Sequence, residues 1–96
     1  NEGSCIGAYN GLNEVGKIDD VKLIGFDSSA AMKEAIRNGQ IAGAITQDPI
    51  GMGYKSIEAA VKLVNGEEVE SFIDTGCYWY DADNMDDPQI APLLYD

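Results

Sequence analysis

Two short runs, VKLIGF (21–26) and IAGAIT (41–46), are apolar or small at almost every position, and they limit the folds open to this chain more than anything else in it. Successive side chains of a strand point to opposite faces, so an unbroken apolar run predicts a strand covered on both sides. Between the two runs, Ala31, Met32, Ala35 and Ile36 recur at three- and four-residue spacing, which marks one face of a helix. Ser28 and Ser29 are N-cap candidates for it, and Asn38-Gly39 is its stop signal. Strand, crossover helix and second buried strand form the βαβ unit of a parallel sheet.

The alternation extends in both directions. Cys5, Ala8, Tyr9, Leu12 and Val15 mark a helix closing at Gly16. Asp48 and Pro49 pair a cap residue with a first-turn proline, and Ile50, Gly53, Ile57, Ala60, Val61 and Val64 keep helical spacing up to Asn65-Gly66. Gly51 and Gly53 in that helix are expected to let it pack closely on the sheet. SFID (71–74) and GCYWY (76–80) are short strand candidates, and the tail from Asp81, with Pro88 and Pro92, reads as irregular chain. The expected architecture is α/β, a parallel sheet with helices on both faces.

Several kinds of chemistry are disfavoured by composition. Seventeen acidic against six basic residues give a net charge of −11, which repels phosphate backbones and argues against nucleic acid as a partner of this segment. No histidine is present, which removes histidine-dependent nucleophile activation and HExxH-type zinc binding. Cys5 and Cys77 match neither CxxC redox spacing nor a metal knuckle, so each is expected to be a small buried hydrophobe. No cofactor, metal site or catalytic residue is expected. No apolar run approaches the roughly 18 residues that span a bilayer, so membrane insertion is not expected, and any targeting segment lies outside these residues. ITQDPIGMGYKS (45–56) looks at first like a phosphate loop, but Tyr54 stands where glycine must precede the lysine.

In open parallel sheets, ligands sit beyond the carboxyl ends of the strands. Asp27 directly follows the first strand and Gln47 the second, while Asn1 precedes the first helix, where the end of an earlier strand would lie. One carboxylate and two amides suit a neutral polyhydroxylated ligand, since the carboxylate accepts from adjacent hydroxyls and amides both donate and accept. The residues by themselves leave a second reading open, in which Asp27 and Asp48 cap helices and Gln47 is an ordinary turn residue.

IGFDSSAAMKEAIRNGQIAGAITQDPIGMGYKSIEAAVKLVNGEEV (24–69) closely resembles the carboxyl-terminal part of the type I, ribose-binding-like periplasmic sugar-binding proteins of ABC importers. NEGSCIGAYNGLNEVGK (1–17) is similar to the segment at that family's Asn-Asp hinge motif, with Glu2 in place of the usual Asp, and IDTGCYWYDADNM (73–85) resembles its closing strands. The resemblance covers nearly the whole chain but only the last third or so of a family member.

That resemblance implies a partial periplasmic binding protein-like I fold in which residues 1–48 and 74–96 belong to the carboxyl-terminal lobe and 49–73 to the amino-terminal lobe. It implies a monosaccharide or similar small molecule held between the lobes, with Asp27 accepting from its hydroxyls and Gln47 and Asn1 as amide contacts, and delivery to ABC permease subunits without catalysis. Which sugar is bound depends on stacking aromatics and an arginine supplied by the part not present. A signal peptide or lipoprotein leader is implied, and with it a periplasmic or extracellular place, lipid-anchored in the second case. The alternative is the sugar-effector domain of a LacI-type repressor, against which the tail DNMDDPQIAPLLYD (83–96) weighs. A segment cut this way is expected to be ordered only when the upstream remainder, a second chain or a swapped copy completes the fold.

Overall fold

The computed structural model describes residues 1–95. Helix α1 spans Glu2–Glu14, strand β1 Ile24–Phe26, helix α2 Ala30–Arg37, strand β2 Gly43–Gln47, helix α3 Pro49–Val64 and strand β3 Cys77–Tyr80, with single 3-10 turns at Ile18–Asp20 and Ala91–Leu93. Each α-helix begins at a side-chain cap. Asn1 Oδ1 accepts from the Ser4 N–H, Ser29 Oγ from that of Met32, and Asp48 Oδ1 from that of Gly51. Each helix thereby satisfies one of the donors its first turn leaves free. SFID forms no strand, and the first strand starts at Ile24 rather than Val21, because β2, its only neighbour, begins at Gly43. No helix among the described residues is long and apolar enough to cross a membrane.

The sheet order is β1-β2-β3. β1 and β2 are parallel, with Ile24 opposite Gly43 and Phe26 opposite Ile45, which the crossover through α2 makes possible. β3 runs antiparallel to β2, with Ala44 opposite Tyr80 and Gln47 opposite Cys77. The α/β class therefore holds, but the sheet is mixed rather than wholly parallel. The cause is where the chain re-enters: it leaves β2 at Gln47 and returns at Cys77, at the same end, so it can only run back down.

Helices α1 and α2 share one face of the sheet. A Cβ on Gly25 would collide with the Met32 methyl from α2 and lie 2.7 Å from Cys5 Sγ of α1, so glycine is what lets both helices approach β1. Around that contact the core collects Cys5, Met32, Ala35, Ile36, Ile41, Ala44, Tyr80 and Met85. The expectation of helices on both faces is met on this face only. On the other, Ile24 is 55% and Trp79 42% exposed, and Phe26 is exposed beside them.

The third helix does not cover that face. α3 has no buried residue and projects from the sheet end, giving a molecule of 57 × 27 × 17 Å. Its radius of gyration is 16.9 Å, against about 12.5 Å for a compact chain of this length. Ile50, Tyr54, Ile57, Val61 and Val64 form an exposed stripe along it. The expected close packing of its glycines on the sheet is therefore not found: Gly53 faces open space, and what crowds Gly51 is the capping carboxylate of Asp48. Cys5 is buried as expected, whereas Cys77 is exposed, because it stands at the strand end where the chain re-enters the sheet.

Candidate functional site

The carboxyl ends of β1 and β2 carry the most unusual backbone in the chain. The Asp27 N–H continues the parallel ladder, donating to the Ile45 carbonyl at 2.8 Å. Asp27 then adopts φ 70°, making it the single non-glycine residue with positive φ among those described. This left-handed region costs a side-chain-bearing residue about 1 kcal/mol, and aspartate tolerates it better than most. The Asp27 carbonyl accepts from the Tyr80 hydroxyl at 2.7 Å, and Tyr80 is completely buried. Burial, followed by the nearby Cys5 thiol and the Asp27 and Glu2 carboxylates, pushes the Tyr80 phenol well above its ordinary value.

Asp27 Oδ1 is buried and has no hydrogen-bond partner in the protein. A buried acceptor left unpaired costs roughly 1–3 kcal/mol, so one that persists points to a missing partner. Strained backbone and orphaned acceptor coincide at the strand end, where the sheet geometry places ligands.

Gln47 is the last residue of β2, half-buried, and Asp48 is spent on capping α3. Two buried hydroxyls tie the tail across this edge. Ser28 Oγ donates to the Tyr95 carbonyl at 3.1 Å and accepts from its N–H at 2.9 Å, while Thr46 Oγ1 donates to the Leu93 carbonyl at 3.3 Å. The Tyr95 ring consequently lies beside Asp27, and its phenol is raised by burial first, then by the Asp27 charge and a hydrogen bond to that carboxylate, and last by Glu2, so that of the two carboxylate oxygens it is Oδ1 that is left unpartnered. The Glu2 charge contributes to raising both phenols, so the start of α1 lies toward this edge. Asn1 stands there exposed, but its side-chain oxygen is engaged by Ser4 N–H at 3.1 Å. Only its amide NH₂ remains to donate.

Asp27 and Gln47 therefore share one edge, offering an acceptor and an amide able to do both, and Asn1 keeps an amide NH₂ free to donate at the start of α1. Glu2 and Asp48 add acidity there, which suits a neutral ligand bearing several hydroxyls better than an anion. Sequence reasoning did not find Tyr80, Tyr95, Ser28 or Thr46. Their contacts join residues 47 to 67 positions apart, and no local pattern announces them. Among the described residues no three His, Cys, Asp or Glu side chains converge to hold a metal ion. A surface groove of about 330 Å³ runs between α3 and residues 68–73, lined by Lys55, Ala59, Val69 and Ile73. It presents no buried polar atom lacking a partner, and so the strand ends are the better site.

Residues 1–68 match the model of the periplasmic binding protein domain. The chain is similar to the ribose import binding protein of Salmonella typhimurium, 35% identical over 71 residues that cover 74% of this chain and 24% of that protein. Among solved structures it resembles an ABC transporter solute-binding protein from Agrobacterium vitis with bound D-fucose: TM-score 0.86, 33% identity, covering 99% of this chain and 33% of the other. It is also similar to a protein from Brachyspira murdochii described as an ABC transporter, LacI family transcriptional regulator, with TM-score 0.75 and 51% identity over 78% of this chain and 23% of that one. The chain spans about a quarter of the length of the curated relatives it matches.

Proposed function

This chain belongs to the periplasmic binding protein domain family, and we propose from that premise that it is the carboxyl-terminal part of a sugar-binding protein of an ABC importer. The protein holds a monosaccharide or similar polyhydroxylated molecule between two lobes and delivers it to permease subunits. The observation that carries the reading is the buried, unpartnered carboxylate oxygen of Asp27 at the end of a parallel strand. In this reading it accepts from sugar hydroxyls, the Gln47 amide contacts the sugar beside it, and the Asn1 NH₂ donates from the start of α1. A relative described as a ribose import binding protein and a neighbour with bound D-fucose support the ligand class.

Residues 1–48 and 74–96 form part of one lobe and 49–73 part of the other, with crossings near Asp48 and Asp74. The projection of α3 and its uncovered stripe support this division. At the second crossing, Asp74 accepts from the Gly76 N–H, and Gly76 turns the chain with φ 77°. The uncovered sheet face and stripe are covered by the upstream remainder of the same polypeptide. Closure of the lobes on the sugar shifts the population toward the form that docks on the permease. The protein acts in the periplasm or outside the cell, behind a signal peptide or anchored as a lipoprotein. No catalysis is assigned, since the one carboxylate beside Asp27 on a strand end, Asp48, caps a helix.

One observation favours a second reading, the effector domain of a LacI-type repressor: the description of the Brachyspira murdochii protein. The Agrobacterium vitis solute-binding protein matches 99% of the chain, tail included, against 78% for that protein, which supports import. Calorimetric titration of the full-length protein with D-ribose, D-fucose and a panel of aldopentoses, aldohexoses and ketohexoses is expected to give saturable heat with at least one. Silence with all of them overturns the proposal, and a helix-turn-helix upstream with operator binding replaces it by the repressor.

A further inference from the structure

Both main-chain polar groups of Asp27 are held, and by different strands. Its N–H is fixed by the Ile45 carbonyl of β2 at 2.8 Å, and its carbonyl by the Tyr80 hydroxyl of β3 at 2.7 Å. The first bond continues the sheet ladder and is open to any residue at this position. It leaves the peptide plane after Asp27 free to turn, and an unrestrained aspartate would spend most of its time at negative φ. The Tyr80 bond fixes that plane. Tyr80 cannot shift to follow a relaxing Asp27: it is completely buried, its backbone is paired opposite Ala44, and the core packs around it. The phenol is protonated at neutral pH in any case, and burial raises it further, so the hydroxyl stays a donor.

We propose that Tyr80 is a positioning residue for the ligand site, its hydroxyl holding Asp27 in the left-handed conformation that presents the carboxylate at the strand end. The inference rests on Asp27 being a ligand contact. Tyr80 itself lies beneath the site and touches no ligand. Without the hydroxyl, Asp27 divides between presenting and relaxed conformers, and affinity falls with the presenting fraction.

The test is a double-mutant cycle in the full-length protein, combining Tyr80→Phe with Asp27→Gly and titrating the sugar panel above. Glycine accepts positive φ without cost and has no carboxylate to position. Tyr80→Phe is expected to weaken binding about tenfold when Asp27 is present and less than about twofold in the Asp27→Gly background. Equal losses in both backgrounds, the mark of a merely structural role, overturn the proposal, as does no loss with Asp27 present. A crystal structure of Tyr80→Phe tests the same point without any sugar: residue 27 relaxed to negative φ supports the positioning role, and φ still near 70° overturns it. Should the unsubstituted protein bind no sugar, the ligand reading falls and the conformation of residue 27 in that crystal alone judges Tyr80. If Tyr80→Phe does not fold, Tyr80→Met, which fills the space flexibly and has no hydroxyl, carries the same expectations.

Discussion

Asp27 occupies a backbone position where glycine would be free of strain, and it does so with a carboxylate oxygen that nothing in the protein satisfies. In the full-length protein, Asp27→Ala is expected to lower sugar affinity roughly thirtyfold, equivalent to about 2 kcal/mol for a charged hydrogen-bond acceptor, as read by calorimetry. Tyr80 makes a second prediction through pH. Its folded phenol is raised above the ordinary value of 10, so its contribution to stability is complete below pH 10 and is lost as pH climbs toward the folded value. Thermal melts should therefore show the advantage of the unsubstituted protein over Tyr80→Phe shrinking above pH 10. The positions of Asp27 and Gln47 were legible in the sequence because each directly follows an apolar run. The left-handed turn and its tyrosine lock were not, because Tyr80 lies 53 residues away and its reach to Asp27 is a product of sheet register.

At the scale of elements, local pattern exposed all three α-helices and all three strands, SFID alone being read as a strand that does not form, since caps and apolar spacing are written within a few residues of each other. Strand direction is not local. GCYWY reads the same whichever way it pairs, and only the return of the chain beside Gln47 makes β3 antiparallel. Gly25 is where two helices and a strand meet, so Gly25→Ala should cost about 2 kcal/mol by overpacking against Met32 and Cys5, measured as a lowered midpoint in denaturant. On α3, the exposed stripe makes a contrast rather than a single value. Ile57→Ala should destabilise the full-length protein by about 2 kcal/mol or more if the missing chain covers it, and change the 96-residue segment by no more than about 0.5 kcal/mol.

For the molecule as a whole, the spacing of the chain predicted an α/β sheet with helices on both faces, and the structure has one layered body with a helix standing away from it. The difference is physical: amphipathic spacing says that a helix face seeks apolar cover, not which chain segment supplies it. The uncovered face of Ile24, Phe26 and Trp79 and the α3 stripe together leave much apolar surface in water. The isolated 96-residue segment is therefore expected to self-associate in sedimentation and to melt without a sharp transition, and a monomer that unfolds cooperatively would contradict this. The facing pair Gln47 and Cys77 carries a mechanical consequence. The projecting arm departs and returns at the two sides of one rung, so any pull on it loads that pair first and peels β2 from β3 rung by rung, as a zipper opens, instead of shearing the strands past one another. The rung that bears the load first is that of Gln47 itself, so tension in the arm is felt at the strand ends before it reaches the core.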